Sequence, residues 1–111
     1  MRQVVSRQVD GKPLTETVFF LLLSLQAGPL HGYGMMKDIA SLSEGRVRLT
    51  TGTLYGAIKR LFDDEWIADV AAESSRGSKT YRLTRIGRSQ LAAEIQRLRQ
   101  LMGAVAAREA G

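Results

Sequence analysis

Two basic, hydroxyl-bearing stretches carry the chemistry of this chain. The first reads Thr50-Thr51-Gly52-Thr53-Leu54-Tyr55-Gly56-Ala57-Ile58-Lys59-Arg60-Leu61, and the second Arg76-Gly77-Ser78-Lys79-Thr80-Tyr81-Arg82-Leu83-Thr84. Threonine and tyrosine hydroxyls donate to phosphate oxygens, and lysine and arginine neutralise them or read guanine edges. Arg76, Lys79, Arg82, Arg85 and Arg88 recur every third residue, and no acid falls between Ser74 and Gln90. A run of this kind on one helix is usually a solvated face. Here it crosses a turn and an extended segment, so it concentrates positive charge on a protrusion able to lie along a nucleic-acid backbone or enter a minor groove.

The elements that must position these residues follow from period and capping. Thr50 or Thr51 caps a helix whose Leu54, Ala57, Ile58 and Leu61 share one face at about 100° per residue. Its opposite face carries Gly52, Gly56, Lys59 and Asp63, flanked by Thr53, Tyr55 and Arg60. Small residues let that face approach a groove closely, and Thr51 and Thr53 lie beside the helix's first backbone N–H groups, a natural anion seat. Capping alone would also account for one of the threonines, and a half-buried core position would account for Tyr55. Trp66 to Ala71 and Lys79 to Leu83 read as antiparallel strands joined by the loop Glu73-Ser74-Ser75-Arg76-Gly77-Ser78.

Upstream, residues 1–13 lack a settled period and end in Asp10-Gly11-Lys12-Pro13, the pattern of a flexible arm. Leu14 to Ala27 reads as a first helix with Thr15 as a cap, terminated by Gly28-Pro29. Val18, Leu21, Leu22 and Leu25 form its stripe, and Phe19, Phe20 and Leu23 carry apolar surface nearly all the way round. A small domain rarely covers such a helix alone, so a partner subunit is expected. Tyr33 to Leu42 reads as a second helix with Met35, Met36, Ile39 and Ala40 inward. Ser43-Glu44-Gly45 is a turn, and Val47-Arg48-Leu49 a very short strand. Thr84 caps a last helix reaching about Arg108, in which Leu91, Ile95, Leu98, Met102 and Val105 follow spacings of 4, 3, 4 and 3. That is the a/d seam of a helix pair, over too few turns to prove a coiled coil.

Composition sets the bounds. The chain of 111 residues suits one domain, with 16 Lys and Arg against 11 Asp and Glu and a net charge of +5. The surplus favours an anionic partner. The absence of cysteine excludes disulfides, thiolate metal sites and a cysteine nucleophile. His31 is the one histidine and reads as a turn residue, since no second histidine or cysteine completes a site. Asp63, Asp64 and Glu65 read as a solvated helix end, and Trp66 as core. No metal, cofactor or enzymatic activity is expected. The longest apolar run, Val18 to Leu23, is far short of the ~20 residues that span a bilayer, so a soluble cytoplasmic protein is expected, with no membrane partner.

Three segments carry a family resemblance: Leu30-His31-Gly32-Tyr33, then Thr53-Leu54-Tyr55 with Lys59-Arg60-Leu61, then Tyr81-Arg82-Leu83-Thr84 with Gly87 and Leu91 following. Together they resemble the PadR family of bacterial transcriptional regulators, in its smaller subfamily with a single C-terminal helix. The resemblance implies a mainly α, α+β winged helix-turn-helix in residues 14–84 and a dimerisation helix in residues 85–111. It implies a homodimer, a repressor binding double-stranded DNA at an inverted repeat, and release by a small-molecule effector that no residue identifies. Thr51 to Asp64 would be the recognition helix, Arg76-Gly77-Ser78-Lys79 the wing, with Tyr55 and Tyr33 at the DNA backbone. The first helix would pack on the partner's last helix. Two positions depart from the family pattern. Glu65 stands where glycine is usual, predicting a differently shaped turn into the first strand, and Gly34 where glutamate commonly follows the tyrosine. The last helix also lacks the tryptophan with which some small relatives stack planar drugs. Two other classes fit the same residues: a non-specific nucleoid-type DNA binder, and a winged-helix module that meets an acidic protein.

Overall fold

The computed structural model describes residues 12–70 and 79–111. Residues 1–11 of the expected arm, and 71–78 with Ala71, Arg76, Gly77 and Ser78, lie outside the described residues. The described chain is four helices on a small sheet: α1 (Glu16–Ser24), β1 (Leu30–His31), α2 (Gly32–Leu42), α3 (Thr51–Asp63), β2 (Ile67–Asp69), β3 (Thr80–Leu83) and α4 (Arg85–Ala110). The strands form one antiparallel sheet in the order β1-β3-β2. Leu30 lies opposite Tyr81, Ile67 opposite Leu83, and Asp69 opposite Tyr81 on the other side.

Capping threonines fix three helix starts. Thr15, Thr50 and Thr84 each accept the backbone N–H three residues on, at 3.1, 3.1 and 3.0 Å. The core is then assembled from one face of each helix: Leu21, Leu22 and Leu25, Met35 and Ile39, Leu54, Ile58 and Leu61, and Leu91, closed by Ile67, Tyr81 and Leu83 of the sheet. Met36, Ala57 and Trp66 pack against it partly buried. Gly87, Gln90, Leu91 and Glu94 are buried as well. The first turns of α4 are therefore part of the same body as the described residues of the three preceding helices and the sheet, and only its distal half stands clear.

Three expectations are corrected. Val47-Arg48-Leu49 is not a strand: the Val47 N–H donates to the Ser43 hydroxyl at 2.9 Å, so a serine replaces the neighbouring strand that segment would need. The missing third strand is instead Leu30-His31, which makes His31 a sheet residue opposite Thr80 and the residue ahead of α2. The first helix is shorter than Leu14 to Ala27. Beyond Ser24 the N–H groups of Leu25, Gln26 and Gly28 bond three residues back, a tighter winding that runs into Pro29.

The residue that turns the chain at the end of α3 is a glutamate with a definite geometry. Glu65 has φ of 67°, left-handed, while its N–H donates to the Phe62 carbonyl at 3.0 Å and the Trp66 N–H to the Leu61 carbonyl at 2.9 Å. This is the two-bond helix terminus that normally uses glycine at the left-handed position. Glu65→Gly is expected to raise stability by about 0.5–1 kcal/mol, read as a higher urea midpoint at unchanged slope, because it removes the Cβ penalty of that conformation. A lower midpoint would show that the glutamate side chain contributes more than the strain costs.

Candidate nucleic-acid interface

The outer face of α3 is open to solvent along its length. Thr51, Gly52, Thr53, Tyr55, Gly56, Lys59 and Arg60 are all exposed, as is the cap Thr50. A Cβ added at Gly52 or at Gly56 would meet nothing within 4 Å. The Thr50 hydroxyl accepts the Thr53 N–H and donates to the Thr53 Oγ1 at 3.0 Å, so the two hydroxyls are locked together at the start of the helix. Helix geometry leaves the first backbone N–H groups pointing outward from this end.

Tyr55 is 46% exposed and is seated by glycine. A Cβ at Gly32 would collide with the Tyr55 hydroxyl, so the absence of a side chain at Gly32 is what lets the ring lie against the start of α2. Tyr33 is 70% exposed, and the Lys37 ammonium sits 5.5 Å above its ring, close enough for a cation–π contact. These residues line an open cleft of about 820 Å³ with His31, Lys79 and Tyr81. The cleft joins α2, α3 and β3 into one surface with three tyrosines, two lysines and a histidine. Burial, then the nearby Tyr55 and Asp69, push the Tyr81 phenol above its ordinary range, so it remains a neutral hydroxyl.

The structure therefore brings Tyr33, the Thr50–Thr53 segment, Tyr55, Lys59, Arg60 and Lys79 to the outer surface of neighbouring elements. Sequence reasoning passed over Lys37, although its spacing of four from Tyr33 on one helix was a usable signal. It placed Asp63 on the face of Lys59 without pairing the two, and did not pair Asp69 with Lys79. Lys59 Nζ pairs with Asp63 at 2.9 Å and Lys79 Nζ lies 4.0 Å from Asp69. Both pairs are largely solvent-exposed, so each is weak and a phosphate can compete for the lysine.

The candidate dimerisation residues divide into two groups. Leu91 is 1% exposed and belongs to the core of the single chain. Ile95 and Leu98 are half-buried, and Leu101, Met102 and Val105 are exposed at 51%, 63% and 45%. Every residue from Leu101 onward is exposed. On α1, Phe19 and Phe20 meet edge to face with centroids 5.4 Å apart, and both remain partly exposed, as does Leu23. Among the described residues, no helix is long and apolar enough to cross a membrane.

Comparison with known proteins agrees with this architecture. The family model described as "Transcriptional regulator PadR-like family" matches residues 21–93. Among solved structures, a PadR family transcription regulator from Clostridium difficile R20291 superposes with a TM-score of 0.68 at 25% identity, covering 87% of this chain and 100% of that one. A PadR-like transcription factor from Bacteroides fragilis gives 0.67 at 27% identity, covering 81% and 86%. Bacillus subtilis PadR in complex with operator DNA gives 0.62 at 22% identity, covering 73% of this chain and 46% of that one, which bears on the fold alone. No curated protein matches the sequence.

Proposed function

The chain belongs to the PadR-like family of transcriptional regulators, and from that premise we propose that it is a cytoplasmic homodimeric repressor of an inverted-repeat operator. Each protomer places α3 in a major groove, with Lys59 and Arg60 toward base edges and Tyr33, Tyr55 and the Thr50–Thr53 segment on phosphates. The segment Arg76-Gly77-Ser78-Lys79 lies along the adjacent backbone as the wing. Two-fold symmetry sets the half-sites about one DNA turn apart, ~34 Å. Phe19, Phe20 and Leu23 of one protomer pack on the partner's last helix, whose exposed Leu101, Met102 and Val105 continue the seam. Repression works by occluding polymerase, and a small-molecule effector that changes the angle between the two recognition helices releases the DNA.

The observation that carries this reading is the bare face of α3, where glycine stands at two solvent-facing positions that leave room for a side chain. Glycine in an exposed helix interior, as at Gly56, costs roughly 1 kcal/mol against alanine, a cost to stability that close approach of another surface would explain. Gly56→Leu separates the two effects. The variant should fold at least as stably as the parent, while losing tenfold or more in operator affinity by fluorescence anisotropy. A variant that binds as tightly as the parent would place the DNA on some other face.

The basic residues should divide by role. Arg60→Ala or Lys59→Ala should weaken binding by an amount that depends on the DNA sequence wherever the side chain reads a base. Lys79→Ala should weaken binding on every duplex and flatten the salt dependence by about one unit. Equal, sequence-independent losses at all three positions would show that the base-reading face lies elsewhere.

A further inference from the structure

The start of α1 is gripped from two sides. Glu94 of α4 is 4% exposed, and its carboxylate accepts Arg97 Nε at 2.9 Å and Nη2 at 2.7 Å. The same carboxylate accepts the backbone N–H of Leu14, immediately ahead of the Thr15 cap. Two residues further on, Glu16 Oε2 accepts Arg46 Nε at 3.2 Å and Nη2 at 2.7 Å. Arg46 belongs to the loop that leads into α3. Residues 14–16 thus join α4 to the approach of the recognition helix, through the Leu14 N–H on one side and the Glu16–Arg46 pair on the other, while the Glu94–Arg97 pair lies within α4 itself. Arg97's hydrogen bonds hold the Glu94 carboxyl below its ordinary range despite its burial, so the clasp is charged at neutral pH.

Glu94 is buried while the Arg97 side chain is 27% exposed, and such a pair contributes little to stability compared with apolar residues of the same volume, so packing alone does not account for a carboxylate here. Its place along α4 does. Glu94 is the last fully buried residue of the helix; Ile95 and Leu98 are half-covered and everything from Leu101 onward is exposed. The clasp therefore stands at the pivot where α4 leaves the body and enters the seam. An apolar side chain would bury the same surface without fixing direction, whereas a hydrogen bond to the Leu14 N–H fixes it, and Arg97, one turn along the same helix, holds the carboxylate in place for that bond.

We propose that the Glu94–Arg97–Leu14 clasp is a positioning element that sets the angle between recognition helix and dimer seam, and so the half-site spacing the dimer accepts. This rests on the homodimeric operator-binding reading above. The lever is long enough to matter. From Glu94 to Val105 the helix advances ~17 Å, and a tilt of about 10° swings that arm by about 3 Å, close to the 3.4 Å step of one base pair.

The test uses the full chain and duplexes carrying its own footprinted half-sites at the native separation, one base pair closer and one base pair wider. The parent should prefer the native spacing by at least tenfold. Glu94→Gln keeps the shape and one acceptor but loses the charge. It should reduce that preference to below about threefold or shift it by one base pair, with binding to an isolated half-site unchanged and the dimer intact in sedimentation. Arg97→Lys, which keeps the charge and loses the two-pronged bond, should act in the same direction and decides the matter if Glu94→Gln fails to fold. Equal losses on all three duplexes, or a preserved preference, overturn the inference and leave the operator reading standing. A monomeric parent, or one indifferent to spacing, would instead sink the homodimeric reading itself.

Discussion

Met102→Glu should yield a folded protein that is monomeric at micromolar concentration and binds the operator at least a hundredfold more weakly. Met102 is 63% exposed in the single chain, so the chain's own core does not need it. In the proposed dimer it lies on the seam with Leu98 and Val105, where a carboxylate would have to be buried against apolar surface. Burying an unpaired charge costs several kcal/mol, enough to dissociate a small helix-pair interface. Loss of the dimer then removes the second half-site, and two weak contacts no longer act as one strong one. A variant still dimeric in sedimentation equilibrium would show that the seam lies elsewhere on α4 or on α1.

The second large effect is on the fold. Gly87→Ala should destabilise the protein by about 2–3 kcal/mol and lower its melting temperature by about 10 °C. A Cβ at Gly87 would run into the Trp66 carbonyl oxygen. That carbonyl accepts the Thr84 N–H at 3.0 Å, and the Thr84 hydroxyl donates to the Glu65 carbonyl at 2.6 Å while capping α4, so the obstacle is anchored backbone. Alanine is otherwise the better helix former by about 1 kcal/mol, so helix propensity alone predicts a gain. A higher melting temperature would show that α4 and β2 can move apart freely.

The parts of the fold legible in the sequence were those fixed by local chemistry. Thr15, Thr50 and Thr84 announce their helices because a hydroxyl three residues ahead of a free N–H is a short-range signal. The buried sets of α2 and α3 follow from the apolar period, with Met35, Ile39, Leu54, Ile58 and Leu61 inward. What could not be read depends on partners distant in sequence. Leu30-His31 becomes a strand only because β3 lies beside it, and nothing within two residues of chain can announce that. Val47 is β-branched, a strand-favouring type, yet its N–H is satisfied by Ser43.

The candidate surface shows the same division. The outer face of α3 is visible from its wheel, since helix spacing alone separates Lys59 from Leu61. The cleft that sets Tyr33, Lys37 and Tyr55 around Gly32 required knowing how α2 packs on α3. The a/d spacing of α4 could not say where the core of one chain ends and the exposed stripe begins. That boundary falls between Leu91 and Leu98, and Glu94 lies on it. Nothing in the sequence singled out Glu94, because its partners are a backbone N–H far upstream and an arginine one turn along.

The central claim is sequence-specific DNA recognition through α3. The most direct measurement is fluorescence anisotropy of the purified chain on DNA from upstream of its own coding sequence, with excess scrambled duplex present near physiological salt. The account predicts tight binding that survives the competitor and is weakened tenfold or more in Gly56→Leu. Binding erased by the scrambled duplex, or none even at low salt, would contradict it.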